Sequence, residues 1–410
     1  MARPRVRQDK RTGKWIVEYY DSNKKQHRLK GFLTKGAAND RADEISGEVR
    51  KGIHTPASTS RAIKDACRGW IQRARDLKLE KKTILQYENH TGIHIIPLTD
   101  NGERPAWHGA LGDLKLAKLT APIATAIHRE LARRLSAAMS RKVMVSFKAV
   151  LDEATNTGMV AYNAARTVKM ERRDRGERRV WPGIHFPDKA EVAAVVAIIE
   201  GRWRPLILVL GFCGLRASEA RGLEWTDVLG LDTEYPQIRV HQRADMDCKI
   251  GDTKTDAAQR HVPIPPTVAA SLREWKKVCP RDAETGELRY VFPNGNGNVE
   301  NHANIYNRGW KDWQVKAGLC EAKRDDKGKV VKDKEGKVVM RGKYGVHALR
   351  HFYASVLIDG ELNPKRVQTL LGHATIQMTL NIYSHLFPPD QAEDQSRFAK
   401  MEASVLAAAK

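Results

Sequence analysis

Apolar side chains recur at helical spacing towards the C-terminal end of the chain. Leu349, Phe352, Val356 and Leu357 lie within the stretch HALRHFYASVLIDG, 347–360, and are separated by the steps of a helix. This periodicity predicts a helix with one buried face.

Two shorter helices are predicted after it. The Asn363-Pro364 pair can begin the first of them. Gly372 can end that helix in the left-handed conformation, which places His373 just beyond it. Thr375 or Thr379 can cap the next helix, which carries Tyr383 near its end.

Alternating apolar and polar residues predict a small sheet at the N-terminus. The stretch KWIVEYYDSNKKQHRLKGF, 14–32, is typical of a hairpin with its turn at 21–23. Thr34 can cap a helix over about 35–50. The stretch 54–60, HTPASTS, is polar and contains proline, which indicates a linker.

The middle of the chain is mainly helical by the same criterion. Apolar stripes predict helices that begin near Ile63, near Thr83 and after the capping residue Thr120, and a further helix over 137–154. The charged stretch ERRDRGERRV, 171–180, has no periodicity and predicts an exposed linker.

The last 220 or so residues mix helices with short strands. Asp188 can cap a helix over 190–200, and 204–214 is a second apolar helix. Strand patterns occur at 237–241, 248–252 and 259–264, which together predict a small sheet.

Two charged or polar segments in this part lie outside the regular pattern. The near-repeat KGKVV and EGKVV within 321–343 indicates an extended hairpin or a mobile loop. Residues 390–410 are typical of a terminal helix, with Phe398, Met401, Val405 and Leu406 as its apolar side.

Composition adds a partner to this picture. The chain has 410 residues, 71 Lys plus Arg against 49 Asp plus Glu, and a formal charge of +22. This excess indicates a polyanionic partner, with nucleic acid ahead of a membrane surface. No apolar run approaches the roughly 18–20 residues that span a bilayer, and the basic N-terminus lacks the apolar core of a signal peptide. Five scattered cysteines without a CxxC pair indicate a reducing compartment, with neither disulfides nor zinc.

The residue types near the predicted C-terminal helices suit a phosphodiester. Arginine binds two phosphate oxygens at once, histidine moves protons near neutral pH, and tyrosine can attack phosphorus. Arg350 and His347 share one helix face, and Arg216 and Glu219 are similarly spaced in GLRASE, 214–219.

These boxes and their order resemble one family. GLRASE, then HALRH at 347–351, then LGH at 371–373, then Tyr383 ten residues after His373, are similar to the signature of the tyrosine recombinases, the lambda-type phage integrases. The resemblance covers about 180–390 well and the preceding part more loosely.

The resemblance implies a multidomain, mainly α-helical DNA breaking–rejoining fold. It places an arm-type DNA-binding module of a small sheet plus a helix at 1–55 and a helical, SAM-like core-binding bundle at 60–172. A linker at 173–186 then leads to an α+β catalytic domain with a small antiparallel sheet at 187–390. A tail helix follows at 391–410, and the resemblance implies that it docks on a neighbouring protomer, with packing on its own domain as the alternative.

The resemblance also implies roles for the nucleophile and the cationic residues. Tyr383 would attack the scissile phosphate, form a 3′-phosphotyrosyl link and release a 5′-hydroxyl. Arg216 and Arg350 would hold the two non-bridging oxygens. Lys254, within TKT at the turn of the family's hairpin, would protonate the leaving oxygen.

The remaining residues of the site would support this chemistry. His347 would take the tyrosine proton or polarise the phosphate, and His373 would donate a hydrogen bond to it. Glu219 would orient Arg216 or His347. Two arginines and a lysine supply the charge that Mg²⁺ supplies elsewhere, so no metal, other cofactor or ATP is expected.

DNA contacts and partners are expected on the same basis. The candidate phosphate contacts are Lys14, Lys24, Lys25, Arg28, Lys30, Arg133, Arg134, Arg141, Lys142 and Lys148. The resemblance implies a prophage or genomic-island integrase that acts on double-stranded attachment sites as a homotetramer in the cytoplasm, associated with the nucleoid. An excision factor and a host DNA-bending protein are the expected accessory partners.

Three alternatives stay open at this point. A type IB topoisomerase uses a similar site without exchanging DNA partners. A DNA-binding protein could keep the fold and have lost catalysis. A basic membrane-surface protein would need a stronger amphipathic basic helix than the sequence offers.

Overall fold

The computed structural model describes most of the chain. The described residues are 3–21, 24–52, 54–56, 60–170, 186–253, 255–325, 328–387, 398–399 and 401–402. The chain divides into two compact units, Met1–Asp174 and Arg175–Lys410. In the described part, no helix is long and apolar enough to cross a bilayer.

The first unit begins with a three-stranded antiparallel sheet and a helix. Its elements are β1 (Arg5–Gln8), β2 (Trp15–Tyr20), β3 (Gln26–Phe32) and α1 (Lys35–Arg50), with strand order β1-β2-β3. The predicted hairpin and helix are confirmed, and the Thr34 hydroxyl accepts the backbone N–H of Ala37. Strand β1 was not predicted because its four residues, RVRQ, contain one apolar side chain.

A helical bundle forms the rest of the first unit. Its helices are α2 (Ile63–Asp76), α3 (Lys81–Asn89), α4 (Ala121–Arg134) and α5 (Ala137–Asn156). A π-helical turn, His90–Ile95, continues α3. The predicted apolar stripe packs into this core, since Ile63, Ala66 and Cys67 are buried. Thr120 caps α4 as predicted.

The second unit contains nine α-helices in its described part up to residue 387. They are α6 (Lys189–Ile198), α7 (Trp203–Phe212), α8 (Ala217–Arg221), α9 (Pro266–Val278), α10 (His302–Asn304), α11 (Lys311–Lys316), α12 (His347–Asp359), α13 (Pro364–Leu371) and α14 (Ile376–Tyr383). Helix α7 is apolar along almost its whole length and packs against α9 and α12. Helix α7 therefore places the segment that precedes Arg216 against α12, the helix that carries Arg350.

The strands of this unit form small antiparallel sheets. They are β4 (Val228–Leu229), β5 (Gln237–Val240), β6 (Gln242–Ala244), β7 (Ile250–Asp252), β8 (Arg260–Pro263), β9 (Cys320–Ala322) and β10 (Met340–Gly342). Their pairings are β4-β5-β8, β6-β7 and β9-β10. The predicted extended hairpin at 321–343 is thus confirmed.

One detail of the predicted sheet is wrong. The strands on either side of the TKT sequence were expected to flank a hairpin turn, but β7 pairs with β6, and β8 pairs with β5. The turn of the β6–β7 hairpin is at 245–249, where the backbone N–H of Asp245 donates to the carbonyl of Lys249. Lys254 follows β7 in sequence and lies outside the described residues.

Three further predictions lie wholly or partly outside the described residues. These are the linker at 54–60, in its residues 57–59, the charged linker at 171–180, and most of the tail, including Val405 and Leu406. In the described part of the tail, Phe398 and Met401 are exposed.

Gly214 permits the close approach of α12 to the turn after α7. Its φ is +63°, and a Cβ there would lie 2.0 Å from Cδ1 of the buried Tyr353. The carbonyl of the same residue accepts a hydrogen bond from Arg350. The turn therefore requires glycine for both its backbone conformation and its packing.

We expect Gly214→Ala to destabilise the second unit by about 2–4 kcal/mol, because it combines a left-handed strain with an overpacked contact. Urea unfolding of the full chain measures this change. Gly295→Ala is the matched control, since its Cβ meets nothing within 4 Å and its φ is not positive. Equal stabilities of the two variants would contradict this account.

Candidate active site

Arg350 is held by backbone carbonyls from two other segments. Its Nη1 donates to the carbonyl of Gly214 at 2.8 Å, and its Nη2 donates to the carbonyl of Leu371. The residue is 2% exposed. Burial, with Arg216 nearby, lowers the pKa of Arg350 to about 9, so the guanidinium stays charged at neutral pH. Three of its five N–H groups remain for another acceptor.

Arg216 is held in the same manner from the other side. Its Nη1 pairs with Glu219 Oε1 at 2.6 Å, and its Nη2 donates to the carbonyl of Gly372 at 3.1 Å. Gly372 ends α13 with φ +63°, as predicted. The left-handed end of α13 thus presents its carbonyl to one arginine while the preceding carbonyl, of Leu371, meets Arg350.

Glu219 is the anion of this cluster and is 3% exposed. Its Oε2 accepts the backbone N–H of Arg216 and Nη2 of Arg260, both at 2.9 Å. Burial alone would raise the pKa of Glu219, but Arg260, Arg216 and Arg350 together lower it to about 2. These direct contacts support the expectation that Glu219 orients Arg216.

Arg260 was missed by the sequence reasoning. It is buried, and its three nitrogens are occupied by the carbonyls of Leu370 and Ala258 and by Glu219. Its side chain joins β8 to the end of α13. A signal existed, because Arg260 alternates with Val262 and Ile264 and so falls on the apolar face of its strand.

His373 and His347 complete the polar surroundings of the arginines. His373 is buried, and its Nδ1 lies 3.0 Å from Thr379 Oγ1. Burial and the neighbouring arginines lower the pKa of His373 to about 3. Burial, His351 and the same arginines also lower the pKa of His347, although His347 is exposed to solvent. Both rings are therefore neutral at pH 7.

Tyr383 lies at the end of α14 and is 1% exposed. Burial raises its pKa to about 12, against the opposing effect of Arg350. Its hydroxyl lies 2.7 Å from Nδ1 of His351, the second histidine of HALRH. The sequence reasoning gave His351 no role, although its spacing from His347 by one helical turn was a usable signal.

The candidate DNA contacts differ in their surroundings. Lys14, Lys24, Lys25, Lys30, Arg141 and Lys142 are exposed. Arg28 pairs with Glu18, while Arg133 and Arg134 pair with Glu130. Lys148 is half-buried and donates to the carbonyl of Val168 at 2.8 Å. Its ammonium thus also stabilises the bundle.

Residues 187–389 match the family model described as the phage integrase family. The chain belongs to this family of tyrosine recombinases. Members of the family break and rejoin DNA, and this chain is an enzyme of that class.

Individual relatives of this recombinase differ in their biological setting. It is 24% identical to a XerC-like tyrosine recombinase of Caldanaerobacter subterraneus subsp. tengcongensis, over 87% of each chain. It is 29% identical to the transposase from transposon Tn916 of Enterococcus faecalis, over 44% of this chain and 41% of that one.

Solved structures share the fold. The Tn1549 transposon integrase in complex with transposon right end DNA matches with a TM-score of 0.57 and 19% identity, over 83% of this chain and 99% of that chain. A lambda integrase tetramer bound to a Holliday junction matches with a TM-score of 0.51 and 14% identity, over 94% and 95%. The predicted mainly helical fold with small sheets is thereby confirmed.

We expect Glu219→Gln to lower the free energy of unfolding of the recombinase by about 3–5 kcal/mol, because it leaves buried guanidinium charge without its anion. The measurement is chemical unfolding as a function of pH. The pKa of Glu219 is lowered on folding, so its contribution is complete above its unfolded pKa of 4.5 and is lost as the pH falls towards 2. The difference between wild type and variant should therefore shrink over that range.

Glu274→Gln is the control for this prediction. Glu274 also pairs with a cation, Lys277, but its side chain is 73% exposed, and exposed pairs contribute little. A pH-independent difference for Glu219→Gln, or an equal loss in both variants, would contradict the buried-anion account.

Proposed function

We propose that this recombinase is the integrase of a mobile element, a prophage or a genomic island. It integrates and excises that element by cutting and rejoining double-stranded DNA at attachment sites. Cleavage passes through a 3′-phosphotyrosyl intermediate. The observation that carries the proposal is the pair of guanidiniums of Arg216 and Arg350, both fixed by backbone carbonyls and both with N–H groups to spare.

The proposed roles follow from what each side chain can donate. A phosphoryl transfer needs an in-line nucleophile and neutralisation of charge on the non-bridging oxygens. Tyr383 is the nucleophile, and Arg216 and Arg350 bind those oxygens. Because both guanidiniums are held before DNA arrives, little reorganisation is needed when charge develops in the transition state.

Two histidines and a lysine complete the proposed reaction. If the Thr379 hydroxyl donates to Nδ1 of His373, the neutral ring carries its proton on Nε2, where it can donate to a phosphate oxygen. His347 polarises the phosphate from the start of α12. Lys254 protonates the leaving 5′ oxygen. The cationic side chains take the place of a metal, and the phosphotyrosyl bond conserves the energy that rejoining requires, so no ATP is consumed.

The proposed assembly is a homotetramer on DNA, with each protomer cutting one strand. A structural relative, lambda integrase, is a tetramer on a Holliday junction, which supports this arrangement. The exposed lysines of the N-terminal module and the net charge of +22 support double-stranded DNA as the partner. An excision factor and a host DNA-bending protein are proposed to set direction, with the recombinase working at the nucleoid in the cytoplasm.

We expect Tyr383→Phe to abolish covalent capture of DNA, because the nucleophilic oxygen is removed. A nicked suicide duplex carrying the element's attachment core, incubated without added metal, should give a covalent protein–DNA band on a denaturing gel with wild type alone. The variant should still shift the duplex on a native gel.

Tyr353→Phe is the matched control. Tyr353 is also buried and lies on α12, but it packs against Gly214, so its variant should keep the covalent band. A band that survives in Tyr383→Phe would place the nucleophile elsewhere. No band from wild type on DNA that it binds would favour a DNA-binding protein without catalysis.

A further inference from the structure

The hydroxyl of Tyr383 meets a histidine to which the family resemblance gives no role. Nδ1 of His351 lies 2.7 Å from Tyr383 Oη, and the two ring centroids are 5.7 Å apart. Among the described residues, Oη has no other hydrogen-bond partner. Because the tyrosine is 1% exposed, solvent has little access to the phenolic proton.

The surroundings of His351 keep its ring neutral. His347 lies edge-on at 4.9 Å, Phe186 stacks at 6.3 Å, and Arg350 is the neighbouring residue on α12. No described carboxylate contacts the ring. Burial and the charge of Arg350 lower the pKa of His351, so at pH 7 its Nδ1 can be an acceptor for the hydroxyl of Tyr383.

We propose that His351, rather than His347, takes the proton of Tyr383 during cleavage. Tyr383 Oη bonds to phosphorus, the bond from phosphorus to the 5′ oxygen breaks, and its electron pair leaves with that oxygen. The phenolic proton passes to His351 Nδ1, and the 5′ oxygen takes a proton from Lys254. On rejoining, His351 returns its proton to Oη. This inference rests on the proposed function and adds a catalytic residue to that site.

Single-turnover cleavage as a function of pH tests the proposal. We expect His351→Ala to cleave about 10²–10⁴-fold more slowly at pH 7, the usual contribution of a general base. Its rate should then rise about tenfold per pH unit between pH 7 and 9, because the tyrosine loses its proton to hydroxide instead. Wild type, His347→Ala and the exposed control His261→Ala should be nearly flat over that range. A tenfold rise of the cleavage rate per pH unit in His347→Ala, without such a rise in His351→Ala, would overturn the proposal.

His351→Asn separates proton transfer from positioning. Its side-chain amide can hydrogen-bond near the place of Nδ1 but cannot take a proton at neutral pH. We expect it to be as slow as His351→Ala and to show the same slope. A rate close to that of wild type would show that His351 only positions the tyrosine.

A spectroscopic measurement does not depend on cleavage. In protein labelled with ¹⁵N-histidine, the resonance missing from His351→Ala identifies this residue. We expect its Nδ1 to be proton-free and hydrogen-bonded at pH 7, and a protonated Nδ1 overturns the proposal. Failure of the proposed function would appear separately, as the absence of any covalent band from wild type.

A second, independent observation concerns the insert, defined as residues 320–343, of which the structure describes all but 326 and 327. Beyond the β9–β10 stem, Arg324 bridges to Val330 and Lys332 bridges to Val338, so two short hairpins branch from one point. At that point the backbones of Lys323, Val331 and Val339 hydrogen-bond to one another in a ring, at 2.8–2.9 Å. The near-repeat of eight residues therefore builds a defined three-armed scaffold rather than a loop.

The insert presents unpaired positive charge. It contains nine Lys or Arg and five Asp or Glu, which gives a net charge of +4 (9 − 5). Asp325 and Asp333 accept the backbone N–H groups of Lys329 and Lys337, one in each hairpin. The exposed lysines with no ion pair among the described residues are Lys323, Lys329, Lys332, Lys334 and Lys337.

We propose that the insert binds the phosphate backbone of duplex DNA. Its charge is complementary to a polyanion, and its hydrogen-bonded scaffold reduces the ordering cost that a flexible basic loop would incur. The contacts are with phosphates and carry no sequence preference. The proposal rests on DNA as the partner of this recombinase, which wild-type binding tests by itself.

The salt dependence of DNA binding tests this surface. Lys329→Gln combined with Lys337→Gln should reduce the slope of log Kd against log salt by up to about 1.8, from about 0.9 per lost phosphate contact. The matched control is Lys276→Gln with Lys277→Gln on α9, which should leave the slope unchanged. An unchanged slope in the insert variant overturns the proposal. The same result is expected if the insert binds an acidic protein instead of DNA.

Discussion

A single buried carboxylate holds the arginines of this recombinase in place. Glu219 contacts Arg216 and Arg260 directly and lowers the cost of burying Arg350 nearby. Without an anion, three guanidiniums in one small volume would repel each other and lose their hydration. The backbone carbonyls of Gly214, Leu371 and Gly372 supply the remaining acceptors. The folded protein thus holds positive charge where the proposed reaction requires a bound phosphate.

The proposed nucleophile is held in the opposite condition. Tyr383 is buried and protonated, with its pKa raised to about 12, and it touches a neutral histidine. The same burial that makes ionisation unfavourable keeps the hydroxyl away from water. In the proposed reaction, activation of the tyrosine depends on a proton acceptor in contact with Oη and on a phosphate bound by the arginines. The proposed reaction thus needs charged arginines for the phosphate and a neutral tyrosine and histidine for the proton transfer, and the two kinds of group lie side by side in the site.

Much of the site was predictable because its boxes are local. The turn at Gly372, the shared helix of His347 and Arg350, and the helix leading to Tyr383 all follow from spacing over a few residues. The expected cap of that last helix is wrong, because Thr375 precedes it without a side-chain hydrogen bond and Thr379 lies within it. Local patterns mark Arg260 as buried and His351 as one turn from His347, but their contacts with Glu219 and Tyr383 were not predictable, because those partners lie far away in sequence.

The strand pairing shows the same limit. Alternation identified β7 and β8 as strands, but it does not say which strand pairs with which. The eight-residue repeat of the insert indicated a hairpin, whereas its branching depends on backbone hydrogen bonds among three separated residues.

The most direct test of the preorganised arginines is a crystal structure of the recombinase bound to a duplex that contains its attachment core. We predict that Arg216 and Arg350 each donate to a non-bridging oxygen of the scissile phosphate within about 3.2 Å. They should do so while keeping their bonds to Glu219 and to the carbonyls of Gly214, Leu371 and Gly372. Guanidiniums that leave those partners to reach the phosphate, or that do not contact it, would contradict the account.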